Sequence, residues 1–255
     1  YTPGGIAPRI PKIEIWSGEV PFGTDLVFTT RNYTFGVEIC EDLWSPLPPS
    51  TQLAIQGAEL IFNLSSSNCL VGKHAFRRQM ITQQSARVHC GYLYTSSGVG
   101  ESTTDVVYSG STYIAENGEM LCEGERFQRS NSMIISELDI ERLRTDRQRN
   151  TNFTKDKTGH YRHINVAPIE REEEFTEPTH RRFSASPFLP GKNEEDQYCM
   201  DIFSIQTSAL ARRWEHTHAE TLEIGISGGL DSTLALLVCV QTADILGYDR
   251  SRVVG

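Results

Sequence analysis

Leu222-Glu-Ile-Gly-Ile-Ser-Gly-Gly-Leu-Asp-Ser232, followed by Thr233-Leu-Ala-Leu-Leu-Val238, changes its period halfway. Leu222 to Ile226 alternates and is apolar enough for a strand. From Ser232 to about Ile245, the apolar residues Leu234, Leu237, Val238, Ala243 and Ile245 recur at helical spacing. Ser227 to Ser232 is therefore a strand-to-helix turn. Gly228 and Gly229 let backbone N–H groups turn inward with no Cβ in the way. The helix start adds free N–H groups and a partial positive charge. A phosphate is the natural occupant of such a turn. Ser227 and Ser232 offer hydroxyl donors, and Asp231 can hold a Mg²⁺ that in turn holds a phosphate. The turn has no lysine, so it is not the G-x-x-x-x-G-K-[S/T] loop.

Working outward, Val253-Val-Gly255 reads as the first residues of a next strand. Gln197 to Glu215 reads as a helix with Ile202, Ile205, Ala209 and Trp214 among its apolar positions. Thr151 to Asp196 is crowded with charged residues, Thr and Pro, and reads as a long connection over the surface. Further upstream, Asp25–Thr30 and Tyr33–Ile39 form a hairpin around Arg31-Asn32. A short helix over 50–56, a strand over 60–64, a helix over 73–90 and a strand over 92–94 follow. Val106–Tyr108 and Ser111–Ala115 read as paired strands, and Asn117-Gly118 is the strongest hairpin signal in the chain. Ser132–Leu138 reads as a last strand and Asp139–Gln148 as a charged helix. Residues 1–22 read as loop with short extended pieces.

The chain has 255 residues, 38% hydrophobic and 22% charged, which suits one large or two ordinary soluble domains. The net charge of −9 argues against a nucleic-acid surface as its main business. No apolar run is long enough to span a membrane, and the first residues are neither a signal nor a transit peptide. The six cysteines stand singly, with no C-x-x-C pair, so a zinc or redox site has no support and a reducing, cytoplasmic setting is expected. His216 and His218, two apart on a helix, point to different faces and are poor joint ligands.

Cys40 ends the strand Tyr33–Ile39 and runs straight into the acidic, aromatic turn Glu41-Asp-Leu-Trp44. A thiol there can stand exposed at the lip of a sheet and act as a nucleophile if a base or cation lowers its pKa. Taken alone, it reads more often as a buried structural cysteine. Its surroundings add a resemblance. Gly36-Val-Glu-Ile-Cys-Glu-Asp-Leu-Trp44 resembles the nucleophile segment of the nitrilase-like carbon–nitrogen hydrolases. Asn63-Leu-Ser-Ser-Ser67, Gly72-Lys73, Gln83-Gln-Ser-Ala-Arg87, Gly98-Val-Gly-Glu-Ser-Thr-Thr-Asp105 and Ile114-Ala-Glu-Asn-Gly118 follow in order. Together they are similar to the glutaminase half of the glutamine-dependent NAD⁺ synthetases. Arg147-x-Arg-Asn-Thr151 fits the same family. The Ser227–Ser232 loop resembles the S-G-G-x-D-S loop of the ATP pyrophosphatases.

The resemblance implies a fold and a chemistry. The fold is α/β: the carboxyl-terminal part of a nitrilase-like α-β-β-α sandwich over 1–138, a connector over 139–196, and from 197–255 the start of a Rossmann-like, doubly wound ATP-pyrophosphatase domain. Cys40 would attack the side-chain amide of glutamine and release ammonia. Glu41, Ser67 and Lys73 would help bind glutamine's amino and carboxylate groups. Ammonia would pass through a tunnel to nicotinic acid adenine dinucleotide adenylated by ATP. There Ser227, Gly228, Gly229 and Ser232 would cradle the phosphates, and Asp231 would help hold Mg²⁺. Nitrilase-like domains resemble one another in pairing through their faces, which implies a homo-oligomer.

The family's catalytic glutamate and lysine lie upstream of the nucleophile, and neither is recognisable here; Lys12, the only lysine before Cys40, sits in a poorly matching segment. The chain therefore reads as the middle of a longer enzyme, inactive by itself. Two alternatives stay open. One is another glutamine-dependent ATP pyrophosphatase, whose glutaminase would resemble the Cys–His–Glu type. The other is a fragment that serves only as an assembly surface.

Overall fold

The computed structural model describes residues 11–153, 160–166, 180–181, 183, 185–186, 189 and 194–255. The chain divides into two compact units, Tyr1–Arg181 and Arg182–Gly255.

The first unit opens with a small antiparallel hairpin, β1 (Lys12–Ile15) and β2 (Gly18–Pro21). Next come β3 (Leu26–Thr29) and β4 (Thr34–Ile39), antiparallel across the turn expected at Arg31-Asn32. A 3-10 turn over Cys40–Trp44 leads to α1 (Pro49–Ile55), which begins with proline in its first turn. Then follow β5 (Leu60–Ser65), α2 (Lys73–Arg87), β6 (Gly91–Ser96), β7 (Thr112–Glu116) and β8 (Glu119–Glu123). After them come α3 (Ile140–Arg149) and β9 (Arg162–Asn165). One seven-stranded mixed sheet results, in the order β8-β7-β6-β5-β4-β3-β9. Strands β4, β5 and β6 are parallel, so their carboxyl ends share one edge. The β7–β8 turn is the expected hairpin, with Asn117 and Gly118 at φ 47° and 94°.

The faces of the sheet differ. Gly36, Glu38, Ile61, Asn63, Tyr92, Tyr94, Tyr113 and Ala115 lie in register on one face and are all buried. The helices α1 and α2 cover that face. A Cβ on Gly36 would stand 2.9 Å from Leu53 of α1, so the close approach needs glycine. The opposite face carries Phe28, Phe35 and Phe62, with centroids 5.1 and 5.4 Å apart in sequence, beside exposed Val37, Ile39 and Leu64. This is the α-β half of the expected sandwich; among the described residues of this unit the other sheet is the two-stranded β1–β2 hairpin.

The helix α3 seals the edge opposite Cys40. Its N-cap, Asp139, accepts from the backbone N–H of Arg142 at 2.9 Å. The half-buried Arg147 donates through its guanidinium to the carbonyls of His89 (2.9 Å), Ala58 (2.6 Å), Val88 (3.1 Å) and Ala54 (3.5 Å), the ends of α1 and α2. Glu116, on β7, takes both Arg181 nitrogens at 2.9 and 2.6 Å and the N–H of Asp139 at 2.7 Å.

Several expectations give way. Ser132–Leu138 forms no strand. It crosses back to Asp139, with Leu138 packed over Gly91, so its direction follows that anchor rather than a ladder. Val106–Tyr108 is not a strand either, because Val107 spends its carbonyl on the N–H of Cys69 at 2.7 Å, outside any sheet. The segment read as a surface connection over 151–196 supplies β9, parallel to β3. Arg162 of β9 chelates Asp25 at 2.7 and 3.0 Å. Alternation over so short a charged stretch was too weak a strand signal. Most of the connection lies outside the described residues, as do residues 1–10.

The second unit contains α4 (Glu195–Thr217), β10 (Leu222–Glu223), α5 (Leu230–Leu246) and β11 (Val253–Val254). Strands β10 and β11 pair in parallel across α5, one β-α-β turn of a doubly wound sheet. The expected strand Leu222–Ile226 is therefore shorter than its apolar run, since β11 meets only two residues of it. Trp214 anchors the unit, with its ring edge-on to Tyr248 and its N–H on the carbonyl of Ala219 at 2.8 Å. Among the described residues, no helix is long and apolar enough to cross a membrane.

Candidate active site and phosphate loop

Cys40 sits at the carboxyl end of β4, where the strand breaks into the 3-10 turn. Its φ is +52°, a left-handed conformation that non-glycine residues seldom adopt. Such strain persists only where the surroundings enforce it. Two hydrogen bonds do so here. The N–H of Ile39 donates to Asp42 Oδ2 at 2.8 Å, and the N–H of Cys40 donates to Asn63 Oδ1 at 3.2 Å. Asn63 is itself buried and held: its amide donates to Tyr92 Oη at 3.1 Å and to Glu38 Oε1 at 3.5 Å. Tyr92 donates to the same Glu38 oxygen, and the N–H of Ser50 donates to the other at 2.8 Å. Burial raises the pKa of Glu38, which its hydrogen bonds pull back in part. A buried polar chain thus runs from α1 through Glu38, Tyr92 and Asn63 to the backbone of Cys40. Asn63 therefore occupies the N–H of Cys40.

The Cys40 side chain is half-buried, and the cysteines are free thiols. Cys90, fully buried, has its thiol pushed up to about 12 by desolvation and is chemically inert. Glu41 is exposed beside Cys40. Lys73 opens α2, donates to Asn68 Oδ1 at 2.8 Å and stands 5.3 Å from the centroid of the Trp44 ring. Its pKa is lowered first by burial and then by Arg77, while Cys40 and Glu41 raise it, so both carboxylate and thiol lie within its field. Ser67 is buried, accepting from Arg77 Nη2 at 3.0 Å through its hydroxyl. Cys40, Glu41, Ser67 and Lys73 therefore converge on the edge where β4, β5 and β6 end.

Asn63→Ala should leave the Cys40 N–H without its acceptor. Its expected cost is about 1–3 kcal/mol of stability and about 10²-fold in any thiol-dependent turnover through misplacement of the sulfur. Urea midpoints and the rate of Cys40 alkylation check this; alkylation at the unmodified rate would remove Asn63 from the account.

Asn63, Glu38, Tyr92 and Arg77 are functional-site residues that the sequence motifs do not single out. Their signal was present but faint. Glu38 and Asn63 are polar letters on the inward phase of apolar strands, and Arg77 stands on the inward stripe of α2 with Ile81, Gln84 and Ser85.

In the second unit, Gly228 adopts φ +81° and Gly229 is the N-cap of α5. The loop is pinned internally: Ser232 Oγ donates to the Gly229 carbonyl at 3.1 Å, and the Ser227 N–H reaches Ser232 Oγ at 3.3 Å. A Cβ on Gly228 would meet nothing within 4 Å, so the loop is open to solvent and its glycine serves the backbone turn. Ser227 to Asp231 are exposed, and Asp231 lies in the first turn of α5. Among the described residues, no group of three or more His, Cys, Asp or Glu side chains could hold a metal ion. One carboxylate beside a phosphate cradle still fits a Mg²⁺ that takes its other ligands from nucleotide and water.

Residues 11–148 match the family model for the carbon-nitrogen hydrolases. A glutamine-dependent NAD(+) synthetase of Mycobacterium tuberculosis is 36% identical over 248 residues, 94% of this chain and 36% of that protein. One from Mycobacterium leprae is 37% identical over 241 residues, 91% of this chain and 35% of that protein. One from Thermotoga maritima is 28% identical over 222 residues, covering 85% and 35%. The chain thus spans about a third of the length of these relatives. The family match takes in Cys40, the network behind it and the whole sheet save β9, more than half of the residues, and the chain belongs to the carbon-nitrogen hydrolase family.

Proposed function

We propose that the chain carries the glutaminase nucleophile and the ATP phosphate loop of a glutamine-hydrolysing NAD⁺ synthetase. The observation that supports this most is that the mycobacterial similarity runs through both units, over 94% of the chain, and so joins Cys40 and the Ser227–Ser232 loop in one protein.

In the first unit the Cys40 thiolate attacks the side-chain carbonyl carbon of glutamine. The oxyanion is met by the Glu41 N–H, the C–N bond breaks, and the nitrogen takes up the proton that the thiol gave up and leaves as ammonia. Water then cleaves the thioester, giving glutamate and restoring the thiol. Lys73 faces the substrate carboxylate, Glu41 the ammonium group, and Ser67 donates its hydroxyl hydrogen. In the second unit the carboxylate of nicotinic acid adenine dinucleotide attacks the α-phosphorus of ATP and pyrophosphate leaves. Ser227, Gly228, Gly229 and Ser232 hold phosphate oxygens, and Asp231 helps hold Mg²⁺. Ammonia attacks the acyl adenylate and AMP leaves, yielding NAD⁺. A dry tunnel between the sites keeps ammonia unprotonated and therefore nucleophilic.

The test supplies the natural protein with nicotinic acid adenine dinucleotide, ATP, Mg²⁺ and either glutamine or ammonium. NAD⁺, AMP, pyrophosphate and, with glutamine, glutamate are expected in equal amounts. Glutamate released with no NAD⁺ from either nitrogen source would overturn the synthetase reading and leave the amidase.

A further inference from the structure

Arg77 is 2% exposed, yet it pairs with no carboxylate among the described residues. Its Nη1 and Nη2 donate to neutral hydroxyls, Ser111 Oγ at 3.2 Å and Ser67 Oγ at 3.0 Å. Its Nε, fully buried, has no hydrogen-bond partner. Its guanidinium lies 5.6 Å from the centroid of the Tyr94 ring, a weak substitute for an anion. An uncompensated buried charge is costly, so a counterion is expected beside it.

The space beside Arg77 is a cavity of about 450 Å³, walled by the Cys69–Ala75 turn on one side and by Ser109, Arg126 and Phe127 on the other. Lys73, His74 and Arg126 line it together with Arg77. His74 and Ala75 are also in the first turn of α2, whose amides face outward with the positive end of the helix. The cations repel one another: after burial, Arg77 is the next cause lowering the pKa of Lys73, and Arg126 the next lowering that of His74. Two carboxylates act on this cluster and neither lines the cavity: Glu41 acts on Lys73, and Glu123 is engaged by Arg78 at 3.1 Å and His74 at 3.3 Å.

The geometry points to an oxyanion-binding site in this cavity, taking the carboxylate or phosphate group of a small ligand, with Arg77 as its buried charge and Arg126 on its exposed rim. The volume suits a ligand of amino-acid or sugar-phosphate size. An anion there would give Arg77 the acceptor it lacks, turn a repulsive cluster into a chelating one, and sit on the amides of α2. The site goes beyond the glutamine contacts proposed above: of those residues Lys73 lines the cavity, and Cys40, Glu41 and Ser67 do not.

Isothermal titration of the protein with inorganic phosphate at low ionic strength tests it, with Arg126→Ala titrated in parallel. Phosphate held by the Ser227–Ser232 loop is common to both and cancels in the difference. A saturable component that Arg126→Ala weakens by at least about tenfold is expected, and it should fade in high salt. Arg77→Met, checked for folding by circular dichroism, should abolish that component. Repeating the titration in saturating glutamate separates the sources. Displacement of phosphate by glutamate would mean that phosphate reports the glutamine contacts at Lys73 and would overturn a separate site; an unchanged isotherm supports it. No saturable heat from phosphate or glutamate, or isotherms that Arg126→Ala leaves unaltered, overturn it. Binding is read without turnover, so failure of the NAD⁺ synthetase reading would leave this result standing.

Discussion

Cys40→Ala should lower glutamine-dependent NAD⁺ formation by at least about 10³-fold, while ammonium-dependent formation stays within about twofold. The asymmetry follows from the chemistry. In the proposed mechanism the thiol splits the amide, and an added ammonium pool, deprotonated in part, bypasses that step. The substitution removes one sulfur and keeps the Cβ. The hydrogen bond from residue 40 to Asn63 is a backbone one and survives. Loss of both activities at once would mean that the change had damaged more than the nucleophile, and the assignment would then rest on alkylation of Cys40 by a glutamine-like diazo-ketone, with glutamine protecting. Retention of both would remove Cys40 from the catalytic role.

Arg147→Met should lower stability by about 3–5 kcal/mol, the range for breaking a buried charged network, which corresponds to a fall in Tm of roughly 10 °C for a unit of this size. One guanidinium serves four carbonyls at the ends of α1 and α2, and it also lies 4.9 Å from the centroid of the Phe153 ring. Methionine fills most of the volume and serves none of those acceptors. Lysine keeps the charge but not the planar fork, so Arg147→Lys should recover only part of the loss. Thermal unfolding of the three proteins checks the order Arg, Lys, Met. Equal melting temperatures for the unmodified and Met proteins would show that water satisfies those carbonyls as well as the arginine does.

What could be read from the sequence was what is local. The Asn117-Gly118 turn, the Asp139 helix start, the break at Cys40 and the change of period at Ser227 each announce themselves within a few residues, because backbone dihedrals and caps are set by near neighbours. The long-range side-chain contacts were invisible. Arg147 bonds to Ala54 across 93 positions and Arg162 to Asp25 across 137. A charged residue whose partners are that distant has no periodic signature. The same holds for β9, whose four residues become a strand only because β3 offers them an edge. At the candidate site, the groups named by resemblance do converge on one sheet edge. Asn63 and Glu38, which hold the cysteine's backbone, are marked in the sequence only faintly, as polar residues in apolar strands.

The left-handed backbone at Cys40 sets two selective pressures against each other at one position. Glycine would relax the dihedral and by itself would favour the folded state by roughly 1 kcal/mol, but it carries no thiol. Under selection for folding alone, substitutions there would drift toward glycine; under selection for turnover they would not. The residue at position 40 is thus a register of which demand has governed the lineage, and stabilising searches that score only folding would erase the reaction first at this site.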